Sequence, residues 1–263
     1  MGKPLIYIPI GQGLIGDTLA QIPFVLHHLK TGESTYVGAD MNPAVRQLLP
    51  EHPHLFFDYP PRDLDVFDSR YLLDLSGMWH QCERHGWDMH MAQGYFRQQG
   101  EVVPELPLTF DMNVKQFHTV DLVISPFSRS NNPADNNKLW PYDRWVELVV
   151  RLHRNNGIRH TVVLGATPDQ PFFFPEGTVY SVFDKPLPAV LYMLRAAKLV
   201  ITLDNGIGHL CHFGGVKNHV MQYPQCLPPK FAESPFAEHV RGRMPIDISV
   251  DQMYDAAVRV LNR

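Results

Sequence analysis

Hydrophobic positions along the chain fall into short runs separated by amphipathic stretches. "PLIYIPI" precedes "DTLAQIPFVLHHLK", "STYVGA" precedes "NPAVRQLL", and "HLFFDY" and "YLLDLSG" follow. Short apolar runs bounded by turn residues read as strands, and stretches with apolar residues three and four apart read as helices. Strand and helix in turn predict a parallel sheet covered by helices. From Trp79 to Phe110 the pattern gives way to His, Met, Gln and aromatic residues, which predicts helices and loops. Alternation resumes with "TVDLVISPFS" and the helix "PYDRWVELVVRLHRNNG", which has Pro141 at its first turn and Gly157 at its stop. Strand "HTVVLGA", loop "TPDQPFFFPEG", strand "VYSVF", helix "PLPAVLYMLRAA", strand "KLVITLD", glycine turn "NGIGH" with its helix, and strand "NHVMQY" complete a second unit. "SVDQMYDAAVRVLNR" reads as one amphipathic helix. The expected organisation is an α/β unit over 1–112, a second over 113–247, and a terminal helix over 248–263 packing back on the first unit.

Length supports this division, because 263 residues suffice for two units that each bury a core. A formal charge of −4 supplies no global attraction to nucleic acid or anionic membrane, so a polyanionic ligand must be held locally. Three cysteines, Cys82, Cys211 and Cys226, form neither a C-x-x-C pair nor a disulfide framework. They suit a reducing cytosol. The N-terminal apolar stretch is interrupted by Pro9, Gly11 and Gly13, unlike a secretion signal, and no segment has the ~18 apolar residues of a membrane span. A cytoplasmic monomer is the expectation.

Two glycine-rich turns compete as anion sites. Gly11, Gly13 and Gly16 spell G-x-G-x-x-G after an apolar run, and Asp40 closes the next run where a ribose-binding acid would stand. Taken alone, this reads as a dinucleotide fingerprint and an NAD-dependent oxidoreductase. In the second unit, Asp204 ends a strand and Asn205, Gly206 and His209 lead into a helix whose free N–H groups and positive dipole end favour an anion. Two further loops end strands of that unit. One carries Ser128, Arg129 and Lys138; the other carries Gly165 and Asp169, an acid placed to accept from a ribose. Loops at the carboxyl ends of parallel strands are where open α/β sheets bind ligands.

In this order the stretches resemble family 9 of the glycosyltransferases, the heptosyltransferase-like enzymes. The resemblance is carried by Gly16, Asp17 and Pro23 in "GDTLAQIP", by Ser128, Lys138, Trp140, Pro141 and Trp145, by "LGATPDQ", and by "DNGIGH" within "AAKLVITLDNGIGHLCHFGG". It implies a GT-B architecture of two facing Rossmann-like domains with parallel sheets. It also implies an inverting, metal-independent transfer from a nucleotide-diphosphate sugar, with no other cofactor, to an acceptor hydroxyl on a lipopolysaccharide-type glycan; a protein and a modified DNA base are the alternative acceptors. Asp17 would be the base. Gly16, Ser128, Arg129, Lys138, Gly165, Asp169, Asp204, Asn205, Gly206 and His209 would hold the donor. The chemistry is coherent, because displacing a nucleoside diphosphate requires a carboxylate for the acceptor's proton and donors for the departing charge. On this reading the first glycine turn belongs to the acceptor side and is no dinucleotide fingerprint. A non-catalytic nucleotide-binding protein of the same architecture remains a distinct alternative.

Other features have simpler readings. Asp17 beside Gly16 could serve as a helix N-cap. "DLD" at Asp63–Asp65 imitates a D-x-D metal motif but follows Pro60 and Pro61 rather than a buried strand. His80, Cys82, His85 and His90 match no established zinc spacing. Cys211 and His212 are expected to pack, and Phe172–Phe174 to serve as core, lid or a surface for stacking a base.

Overall fold

The computed structural model describes residues 5–8, 15–31, 34–37, 41–49, 51–57, 78–109, 120–128, 139–166, 178–224 and 230–263. Its first sheet contains β1 (Leu5–Ile8), β2 (Ser34–Val37) and β3 (Leu55–Phe56), parallel and in the order β1-β2-β3. The helices of this part are α1 (Ile15–Thr31), α2 (Pro43–Arg46), α3 (Met78–His85) and α4 (Met91–Gln98). Between residues 15 and 30 only Asp17, His27 and Lys30 of α1 are exposed. Leu19, Ile22, Phe24 and Val25 are fully buried, so α1 is a central helix rather than a surface one. Pro23 lies inside this helix and withdraws one backbone donor from its interior.

The second sheet follows the expected alternation closely. It consists of β4 (Val120–Ser125), β5 (His160–Gly165), β6 (Thr178–Phe183), β7 (Ala197–Thr202), β8 (His219–Pro224) and β9 (Ala237–Gly242). All neighbours are parallel, in the order β6-β5-β4-β7-β8-β9. The chain starts in the middle, winds outward one way, then returns to wind the other. The order therefore reverses between β4 and β7, the switch point at which ligands bind beyond the carboxyl ends of the strands. Helices α5 (Tyr142–Asn155), α6 (Leu187–Ala196), α7 (Gly206–Phe213) and α8 (Val250–Leu261) complete the unit.

Side-chain alternation sends each strand into two cores. Leu122 and Ile124 of β4, with Leu199 and Ile201 of β7 and Val220 of β8, pack with Trp145, Leu148 and Leu152 of α5. Val123, Val200, Met221 and Tyr223 face the other way, into a core shared with α1, α4, α6 and α7. That second core is continuous from the six-stranded sheet to the helices of the first part.

Two further features complete the unit. The terminal helix, α8, packs against α5 and β7–β9 through Met253, Ala256, Ala257 and Val260. Its apolar stripe lies beside α5 and covers the part of the same sheet face that α5 leaves open. An additional strand, β9, forms the sheet edge from "AEHVRG", whose partly exposed and polar residues lack the apolar run expected of a parallel strand. The run "YLLDLSG", Asp63–Asp65, Phe172–Phe174 and the 112/113 boundary lie outside the described residues.

Candidate functional site

The turn after β7 is set by Asn205. Its backbone is extended (φ −145°, ψ 177°), and its side-chain oxygen accepts from Gly208 N–H at 2.9 Å, capping α7. The same side chain's nitrogen donates towards the Ser125 carbonyl (3.2 Å), the Ser125 hydroxyl (3.1 Å) and the Phe127 carbonyl (2.8 Å). The end of β4 and the start of α7 are thus joined across the switch point. A Cβ on Gly208 would lie 2.8 Å from the Leu203 carbonyl and 3.0 Å from Thr202 Oγ1, which explains a glycine inside the first turn.

One turn into α7, His209 places Nε2 3.6 Å from Asp204 Oδ1, and both side chains are buried. The imidazole also covers the start of α1. A Cβ on Gly16 would lie 2.5 Å from His209 Cδ2, and one on Gly206 would lie 2.9 Å from Ile15 Cβ. The N-termini of α1 and α7 therefore meet at van der Waals contact, and glycine is what lets them. Gly16 has an α-helical setting in which alanine would ordinarily be preferred. The position's requirement is space.

Asp17 follows directly, in the first turn of α1 and exposed. It is the third residue of the helix, three positions beyond the N-cap position, so it is not itself the N-cap. Tyr95 of α4 is fully buried nearby. Burial first, and then the Asp17 charge, push its phenol up from the ordinary value, while a hydrogen bond from Gln21 opposes them.

Gly165 ends β5 on the other side of β4. A Cβ there would lie 2.7 Å from Phe183 and 3.0 Å from Phe127, whose rings meet edge to face at 6.3 Å. Gly165 thus makes room for aromatic packing, and Ser128 follows Phe127 just beyond the end of β4. Of the residues singled out in the sequence, Gly16, Asp17, Asp204, Asn205, Gly206 and His209 form one cluster, with Ser128 and Gly165 along the adjoining strand ends. Arg129, Lys138 and Asp169, like Gly11, Gly13 and Asp40, lie outside the described residues.

Behind the cluster is a set of buried histidines that sequence reasoning left unconnected. His90 caps α4 by accepting from Ala92 N–H at 3.2 Å through Nδ1, and its ring stacks on His212 at 4.4 Å with a 10° interplanar angle. Accepting at Nδ1 requires the neutral ring. Burial holds His90 well below the ordinary imidazole value, with His212 and His209 adding to the effect. Burial, followed by His209 and His239, pushes His212 down to about 3. His219, bonded to Thr202 Oγ1 at 2.8 Å, is likewise pushed down to about 3 by burial, His239 and His212. The signal was present only as scattered His residues, because no local period joins α4, α7, β8 and β9. Burial also raises Cys82 to about 11 and Cys211 further, which makes both thiols unreactive. Among the described residues no group of three or more His, Cys, Asp or Glu could hold a metal ion.

No family model matches the sequence, and no curated protein matches it in sequence. Solved structures are similar in fold. A family 9 glycosyltransferase from Veillonella parvula superimposes with a TM-score of 0.67 at 16% identity, over 98% of this chain and 97% of that one. The iron-containing dodecameric glycosyltransferase TibC of enterotoxigenic E. coli gives 0.66 at 15% identity, over 99% and 75%. The E. coli heptosyltransferase WaaC, solved with ADP, gives 0.64 at 13% identity, over 97% and 99%. The chain has the fold of these proteins, in agreement with the α/β class and the resemblance read from its motifs.

Proposed function

We propose that the protein is a glycosyltransferase that moves a sugar from a nucleoside-diphosphate sugar to an acceptor hydroxyl, with inversion and without an obligatory metal. The observation that carries this reading is the meeting of two helix N-termini, one bearing the exposed Asp17 and the other bearing His209 and the dipole of α7. Diphosphate oxygens at α7 would receive hydrogen bonds from backbone amides and His209, and would be stabilised further as charge accumulates on the leaving group. Asp204 beside His209 Nε2 would favour a ring able to donate. The Asp17 carboxylate, on the adjoining helix end, would take the acceptor's proton as its oxygen attacks the anomeric carbon. The C1–O bond to the diphosphate breaks as the new one forms, on the opposite face of the sugar.

The α/β units expected over 1–112 and 113–247 would supply acceptor and donor sides respectively. Arg129, Lys138 and Asp169 enter this proposal through the resemblance, as phosphate and ribose contacts. The acceptor is a hydroxyl of a glycan, a protein or a modified DNA base, and the protein works in the cytoplasm as a monomer.

A thermal-shift panel of nucleoside diphosphates, their sugars, NAD and NADH tests the reading, followed by transfer assays with the stabilising donor in the presence of a chelator. Stabilisation by one nucleoside diphosphate and its sugar, with transfer that survives the chelator, is expected. Stabilisation by NADH instead, with quenching of protein fluorescence, would restore the oxidoreductase. Donor binding without hydrolysis or transfer to any acceptor class would make it a binding protein.

A further inference from the structure

Every polar atom of the Asn205 side chain has a protein partner. The oxygen holds Gly208 N–H, and the amide nitrogen serves Ser125 and Phe127 at 2.8–3.2 Å. Capping requires only the oxygen, and serine or aspartate would supply one as well. What asparagine adds is a donor pointed across the gap between β4 and β7.

We infer that Asn205 is a positioning residue, a brace that fixes the end of β4 to the start of α7, and not a contact to the nucleotide. Through Phe127 the brace extends to Phe183 and Gly165, so the strand ends of β6, β5 and β4 are registered against the helix N-terminus. The anion-facing turn and the strand-end lip form one preassembled unit. Its significance for binding rests on the donor-site reading above, but the brace itself can be tested without any ligand.

The test compares wild type with Asn205→Ser and Asn205→Asp. All three side chains can cap α7, so far-UV circular dichroism should show the fold retained in each. Hydrogen exchange at the Phe127 and Ser128 amides in the unliganded protein should accelerate by about tenfold in Asn205→Ser, because a hydrogen-bonding donor is lost. Asn205→Asp should exchange faster still at neutral pH, where a carboxylate faces two carbonyls. Its protection factor should recover as pH falls and the carboxyl regains a proton to donate. Binding of ADP, UDP and GDP, measured by calorimetry, should weaken in the same ranking for whichever diphosphate the wild type binds.

Equal exchange in all three proteins would reduce Asn205 to a cap and overturn the brace. Weaker nucleotide binding with unchanged exchange would make it a direct ligand contact, which also overturns the proposal. Faster exchange with unchanged binding would leave a brace with no positioning role. Should the wild type bind none of the three diphosphates, the donor-site reading would fail, while the exchange ranking and its pH rescue would still decide the brace.

Discussion

On one face of the six-stranded sheet, Leu122, Ile124, Leu199, Ile201 and Val220 meet α5 and α8 through Trp145, Leu148, Met253 and Ala257. On the other face, Thr202, His209, His212 and His219 are buried together with the apolar residues that meet α1 and α4. The two faces bury comparable secondary structure by different means. An apolar face gains from area alone, with little dependence on pH. A face that buries imidazoles must keep them neutral, at a cost in stability that an apolar substitute would avoid. Polar burial is concentrated where α7 and α1 meet, the place where the proposed chemistry requires donors, a base and a close approach of two helices. The comparison teaches that the two faces are built by different means, and the proposed site lies on the more polar one.

The largest expected effect falls on the polar side. Asp17→Asn preserves side-chain shape but removes the base, so kcat at saturating donor and acceptor should fall by about 10²–10⁴-fold while melting temperature and donor affinity are retained. Near-normal turnover would leave the site without an assigned base. On the apolar side, Leu148→Ala should lower unfolding free energy by about 2–5 kcal/mol in denaturant titrations. That loss should be the same at pH 5 and pH 8, and kcat of the folded fraction should be unchanged; a selective loss of turnover would mean that the faces are not separable.

A smaller effect tests the contact between the helix ends. Gly16→Ala should destabilise by about 1–3 kcal/mol, although alanine normally strengthens a helix, because its methyl enters the His209 ring. Nucleotide affinity should fall with it. A rise in melting temperature at unchanged affinity would show that the two N-termini need not touch.

The smallest effect concerns acid. His90, His212 and His219 have folded values below the ordinary imidazole value of 6.5, so the unfolded chain binds more protons than the folded one below about pH 6.5. Stability from this difference is complete above pH 6.5 and is lost as pH falls towards the folded values near 3. His212→Phe removes one such group. The slope of unfolding free energy between pH 6 and pH 4.5 should decrease by about 1.4 kcal/mol per pH unit. An unchanged slope would place the acid response elsewhere, and the two faces would no longer differ in that respect.

Sequence by itself determined the strand–helix alternation, the parallel class, and the identity of the turn after β7, since each follows from local period and turn chemistry. It also singled out Gly16, Asp17, Asp204 and His209, because glycine, acid and imidazole at strand ends are locally visible. Only the tertiary structure decided why Gly16 is glycine, since the reason is a ring 193 positions away. Asn205 belonged with the ligand contacts on sequence grounds, whereas its four partners come from β4 and α7 together and occupy both ends of its amide. The side on which α8 packs, the edge strand β9 and the His90–His212 stack were also illegible. Amphipathicity states that a helix has an apolar face, but not which exposed core in the chain is available to cover it; that choice is made by contacts between elements far apart in sequence.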